Sequence, residues 1–290
     1  MPIRLHADDP DLLRQAIEFT ARETGFNLRL IEKDYFCSVV LEYLAASGVG
    51  LTFKGGTCLS KVHGNLYRLS EDLDFSVSTP PDSARGDRSR RARPLKATLE
   101  ALPTRLAGFR IVEPLRGANS STQYNATVGY ESLLDSHVEP ISIEVGLREP
   151  TVLGEHVGVA TTALLSPLNR QPLVAPYPVR CLTYREAMAE KLRAALCRRE
   201  VAVRDYFDVD YAMRSTNFDP LEPALLDLLR RKLEISGTGA VDISDARMDQ
   251  LRRQLHAQLR SVLREPEYDS FDLHRAVETV RRVAQAVARQ

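Results

Sequence analysis

Residues 53–77 narrow what this chain can fold into more than any other stretch. They read Phe-Lys-Gly-Gly-Thr-Cys-Leu-Ser-Lys, then Val-His-Gly-Asn-Leu-Tyr-Arg-Leu, then Ser-Glu-Asp-Leu-Asp-Phe-Ser-Val. A short apolar run ends in Gly55-Gly56, and a short helical piece follows. The chain then enters a strand on which Asp72 and Asp74 alternate with Leu73, Phe75 and Val77. Strand side chains alternate faces, so the two aspartates share one face and the apolar residues the other. Paired carboxylates repel and lose solvation unless a cation lies between them. A hard divalent ion such as Mg²⁺ meets that need, taking oxygens from one or two carboxylates and from substrate phosphates. Gly55 and Gly56 let the backbone approach a ligand closely. Thr57 is placed to cap the following helix, whose N–H groups suit a phosphate.

The rest of the chain supplies a scaffold. At 290 residues it can bury a large core in one or two domains. Lys plus Arg and Asp plus Glu both number 39, so the net charge is zero and only local basic patches could hold nucleic acid. Cys37, Cys58, Cys181 and Cys197 show no Cys-x-x-Cys spacing and read as reduced thiols of a cytoplasmic protein. No apolar run approaches a membrane span. Asp8-Asp9-Pro10 opens a helix that Gly25 ends, and a second helix is expected over 28–47. Strands are expected over 51–54, 72–78, 109–112 and 141–147, with another carrying Tyr124, Ala126, Val128 and Tyr130. Residues 152–178 read as loop mixed with a strand.

Three further features carry charge. After Pro80-Pro81 comes a run with Arg85, Arg88, Arg90, Arg91 and Arg93, expected as a loop before a helix over 94–106. It is either a solvated connection or a phosphate-binding patch. On the strand 141–147, Glu144 shares a face with Ser142 and opposes Ile143 and Val145. Thr183 and Glu186 form a capping box that opens a helix. On it Lys191 sits in a stripe of Tyr184, Ala187, Met188, Ala194 and Ala195, where it either snorkels outward or meets a phosphate. Further helices are expected over 221–233, 244–263 and 271–288.

Gly-Gly-Thr-x-x-Ser-Lys followed by Ser-Glu-Asp-x-Asp-Phe at this spacing resembles the nucleotidyltransferase superfamily. More closely it is similar to the AbiEii/AbiGii toxins, the nucleotidyltransferase halves of abortive-infection and toxin–antitoxin pairs. Glu32-Lys33-Asp34-Tyr35 resembles that family too, its charges being expected on a solvated face. So does Lys191 with Arg204-Asp205 and Asp208. The motifs span residues 28 to 210.

The resemblance implies an α+β fold of the polymerase beta-like kind, with a mixed sheet and N-terminal helices over 1–180. A helical domain over 181–290 would complete the nucleotide cleft. It implies Mg²⁺ or Mn²⁺ at Asp72 and Asp74, with Glu144 as third ligand or as base. It places an NTP on Lys54, Gly55, Gly56, Thr57, Ser60 and Lys61, with Lys191 on its phosphates. Asp205 would orient that lysine or touch the nucleotide, and Asp208 would be structural. The implied reaction is attack of an acceptor hydroxyl on the α-phosphate, with pyrophosphate leaving and tRNA 3′ ends as acceptor. The implied partner is an antitoxin, and Ser70 is an implied phosphorylation point, where about −1.5 to −2 of added charge would repel the nucleotide. Arg88, Arg90, Arg91 and Arg93 are the expected RNA contacts. Transfer to a protein or small molecule stays open. A catalytically dead binding module fits poorly with Asp72, Asp74, Glu144, Lys191 and Asp205 all present.

Overall fold

The computed structural model describes residues 3–154, 156–235 and 237–289. The chain divides into two compact units, Met1–Leu182 and Thr183–Gln290. In the first, helices α1 (Leu5–Asp8), α2 (Pro10–Thr24) and α3 (Leu28–Ala46) lead into the sheet. Asp9 accepts from Leu12 N and precedes Pro10, so α2 starts where the Asp-Pro pair puts it. Gly25 closes it in the left-handed region, and Asn27 caps α3.

Strands follow as β1 (Thr52–Lys54), β2 (Leu73–Ser76), β3 (Phe109–Ala118), β4 (Gln123–Glu131), β5 (Val138–Gly146), β6 (His156–Ala160) and β7 (Tyr177–Cys181). Their order across the sheet is β3-β4-β5-β2-β1-β7-β6. β2–β5 and β1–β7 are parallel, and the other pairs are antiparallel. The sheet is therefore mixed, as an α+β nucleotidyltransferase fold requires. Its apolar face carries Phe53, Phe75, Val145, Val128 and Tyr130, all buried. Phe36 of α3 stacks on Tyr130 at 3.8 Å between ring centroids, which fixes α3 over that face. β3 runs beyond the expected 109–112 and tolerates Pro114 because it is an edge strand.

Two expectations fail here. The charged block of α3 is not solvated: Glu32 and Asp34 are buried. Glu32 accepts from Ser132 Oγ at 2.8 Å and Leu133 N at 2.7 Å, tying α3 to the β4–β5 connection. Residues 85–93 are not a loop either. They open the helix α5 (Arg85–Arg105), which follows the short turn α4 (Gly55–Cys58) in the count of helices. Ala92, Leu95, Leu99 and Leu102 fall at spacings of three and four and are buried. Burying that stripe holds the helix through Pro94 and Pro103.

The second unit is helical: α6 (Tyr184–Cys197), α7 (Val203–Ser215), α8 (Pro223–Leu233), α9 (Asp245–Gln254), α10 (Glu265–Ser270) and α11 (Leu273–Ala288). The helix expected over 244–263 is interrupted by a π-helical turn at Leu255–Leu259. Ion pairs tie the bundle, with buried Lys232 on Glu186 at 2.9 Å and the more exposed Arg275 on buried Asp210 at 2.6 Å. Lys232 and Asp210 each meet an opposite charge, so neither is left as an uncompensated buried charge.

Candidate active site

The sheet register lays out the candidate site. Lys54 of β1 stands opposite Asp74 of β2, Asp74 opposite Glu144 of β5, and Glu144 opposite Asn125 of β4. Neighbouring strands lie about 4.8 Å apart, so Asp74 and Glu144 are side by side on one face. Asp72 shares their face by alternation, though it precedes the first residue of β2 and is exposed. Thr57 Oγ1 donates to the Asp72 carbonyl oxygen and anchors its backbone to α4.

Gly55 has φ +75°, and a Cβ built on it would stand 2.1 Å from Asp74 Oδ2. The Asp74 carboxylate thus occupies the space that any other residue at 55 would fill. This cradle sets the Asp74 oxygens against the glycine turn and beside Glu144. All-oxygen donors from neighbouring strands suit Mg²⁺ or Mn²⁺. A Cβ on Gly56 would stand 2.1 Å from Arg68 Nη2. Arg68 is 1% exposed, so the turn has a carboxylate on one glycine and a buried guanidinium on the next. Sequence reasoning missed Arg68. Its signal was an arginine between Tyr67 and Leu69, four residues ahead of Asp72.

Other expected nucleotide contacts point elsewhere. Lys61 is 2% exposed, and its ammonium donates to Asp34 Oδ1, to Asp34 O at 3.1 Å and to Ser38 Oγ at 2.7 Å. It neutralises a buried carboxylate of α3 rather than facing a phosphate. Ser60 Oγ donates to the Arg68 carbonyl oxygen. Thr57 lies inside α4, not at its cap, and makes no capping bond. All three are committed within the protein, and Gly56 is buried against Arg68, which leaves Lys54 and Gly55 as the half-exposed part of the turn.

Within the second unit, Lys191 Nζ donates to Asp205 Oδ1 at 2.7 Å and meets Asp208 Oδ2 at 3.0 Å. One cation between two carboxylates holds α6 to α7.

The basic run lies on α5. Arg88 donates to Pro81 O at 3.0 Å, Arg91 to Ser78 O at 3.2 Å, and Arg90 pairs with Asp87. Arg93 instead lines an open cleft of about 590 Å³ with Arg85, Lys96, Leu115 and Tyr124. Tyr124 adjoins Asn125 in β4, so this cleft opens on the face opposite Asp74 and Glu144. Ser70 is half-buried in the connection from the π-helical turn Leu59–His63 to β2. Its neighbour Glu71 meets Lys33 Nζ at 3.4 Å.

Comparison with known proteins adds independent evidence. The family model for the nucleotidyl transferase AbiEii toxin of type IV toxin–antitoxin systems matches residues 40–286. The solved structure of JHP933 from Helicobacter pylori is similar at 15% identity and a TM-score of 0.51, over 90% of this chain and 93% of that one. At that identity the likeness speaks for the fold alone. A second H. pylori structure, described as a candidate nucleotidyltransferase, aligns at 16% identity and a TM-score of 0.46 over 97% of this chain and 95% of its own. No curated protein matches the chain.

Proposed function

The chain belongs to the AbiEii nucleotidyl transferase toxin family, and from that premise we propose that it transfers a nucleotide from an NTP to the 3′ end of a tRNA. Nucleotidyltransferase activity and an antitoxin partner follow from membership itself, as does use of an NTP with a divalent metal. The tRNA acceptor, the ion and the residue roles are the proposal. The observation that carries it is the in-register row of Lys54, Asp74 and Glu144 set against the Gly55 cradle.

Asp72, Asp74 and Glu144 would hold the metal. Bound there, a divalent ion supplies charge stabilisation at the reacting phosphate. Gly55 and Gly56 admit the triphosphate to the backbone, and Lys54 offsets its charge from the strand beside Asp74. Within the second unit, Lys191, oriented by Asp205, is proposed to bind phosphate. The acceptor oxygen bonds the α-phosphorus, the α–β phosphoanhydride bond breaks, and pyrophosphate departs. Glu144 accepts the hydroxyl proton where it is not spent as a ligand.

The cleft of Arg85, Arg93 and Lys96 is the RNA-binding surface, with Arg88, Arg90 and Arg91 beside it. A tRNA is larger than the sheet, so backbone held on one face and an end delivered to the other are compatible. Phosphate on Ser70 would place negative charge two residues from Asp72 and oppose nucleotide binding. The setting is the cytoplasm, where NTP and tRNA meet; among the described residues no helix is long and apolar enough to cross a membrane.

The test is incubation with total tRNA, Mg²⁺ and each α-labelled NTP in turn. Label on tRNA is expected. Label on protein or on a small molecule, with none on tRNA, overturns the acceptor.

A further inference from the structure

Behind the glycine turn lies a second cluster that the transfer reaction does not use. Cys58 ends α4, His63 ends the π-helical turn, and Cys181 ends β7 next to Phe53 of β1. One ligand atom from each lies within 4.8 Å of the others. Both cysteines are fully buried and His63 is half-buried. His63 Nε2 stands 3.0 Å from the Leu182 carbonyl oxygen. A carbonyl only accepts, so Nε2 carries the proton and Nδ1 presents its lone pair. That is the outer bond by which proteins fix a metal-binding imidazole. His156 faces Cys181 across the β6–β7 ladder, and its ring lies 6.3 Å from that of His63, nearly parallel to it.

We propose that Cys58, His63 and Cys181 form a zinc site, with His156 or water in the fourth position. Two sulfurs and an imidazole are soft to borderline donors, which select Zn²⁺ and reject Mg²⁺. Thiolate is the form that binds a metal. No two of these ligands share a short sequence motif, so spacing alone gave no sign of them. The ion would clasp α4 to β7 and fix the Gly55-Gly56 turn from the face opposite Asp74. It is distinct from the carboxylate site in place and in donor chemistry.

The test uses the full chain, purified and dialysed against a mild chelator, with metal content measured directly and Co²⁺ as spectroscopic probe. We expect about one Zn²⁺ per chain and, with Co²⁺, a thiolate-to-cobalt charge-transfer band, which a carboxylate site cannot give. Both should persist in Asp74→Asn and vanish in Cys58→Ser and Cys181→Ser. His63→Gln should weaken Zn²⁺ binding at least about tenfold, a milder change that does not depend on the serine variants folding. The proposal falls if the unsubstituted chain takes up no Zn²⁺ or gives no thiolate band with Co²⁺. It also falls if intact mass shows Cys58 and Cys181 joined as a disulfide.

Discussion

Asp74 and Gly55 constrain each other at the scale of single residues. The carboxylate sits where a Cβ at 55 would stand, and the backbone there is in the left-handed region. Gly55→Ala therefore meets two obstacles. The strained φ costs about 1–3 kcal/mol, and the methyl displaces the carboxylate from Glu144. We expect a lower denaturation midpoint together with loss of nucleotide transfer, read by urea titration and α-labelled NTP incorporation. Asp74→Asn removes charge without bulk. Its fold should survive, since the polar face carries little packing, while Mg²⁺-dependent transfer drops by about 10²-fold or more. Full activity in that variant would remove Asp74 from the site. Asp72→Asn should act in the same direction.

Elements differ in how well the sequence disclosed them. β2 and β5 were legible because their period-two alternation survives into the structure, and Asp74 and Glu144 could be placed on a face from it. The register between them was not, because parallel pairing joins segments far apart and no local pattern encodes it. Residues 85–93 were misread because their charges hid the stripe of Ala92, Leu95, Leu99 and Leu102. In α3 the charges hid burial itself, since the partners of Glu32 and Asp34 come from other elements. That burial has a measurable consequence at Lys61. Lys61→Met leaves Asp34 without its cation and should cost about 3–5 kcal/mol of stability, with NTP affinity unchanged at temperatures where the variant is folded. A lost affinity with stability intact would restore Lys61 to the nucleotide. Glu32 gives a test by pH. Burial foremost raises its carboxyl above the ordinary glutamate range. The folded state therefore holds a proton that the unfolded chain has released. Stability must fall as pH rises from the ordinary value through the raised one. Chemical denaturation of Glu32→Gln across that window should lack this part of the slope.

At the scale of the molecule, zero net charge means that the proposed affinity for RNA rests on where cations cluster. Arg85, Arg93 and Lys96 share the cleft, whereas Arg88, Arg90 and Arg91 already engage Pro81, Asp87 and Ser78. Replacing the first three by Ala should flatten the plot of log K against log salt by about two. Replacing the second three should flatten it less, and equal effects would disperse the surface along α5. Ser70→Glu should weaken NTP binding and leave tRNA binding as it was. The sheet order has one more consequence. β2 lies between β1 and β5, and β1 between β2 and β7. A growing chain therefore exposes Asp74 long before Glu144 exists to stand beside it, and the floor of the glycine turn waits for Cys181. On the proposed assignment of Asp74 and Glu144, the ribosome making this protein holds an inert polypeptide until nearly all of the first unit has emerged.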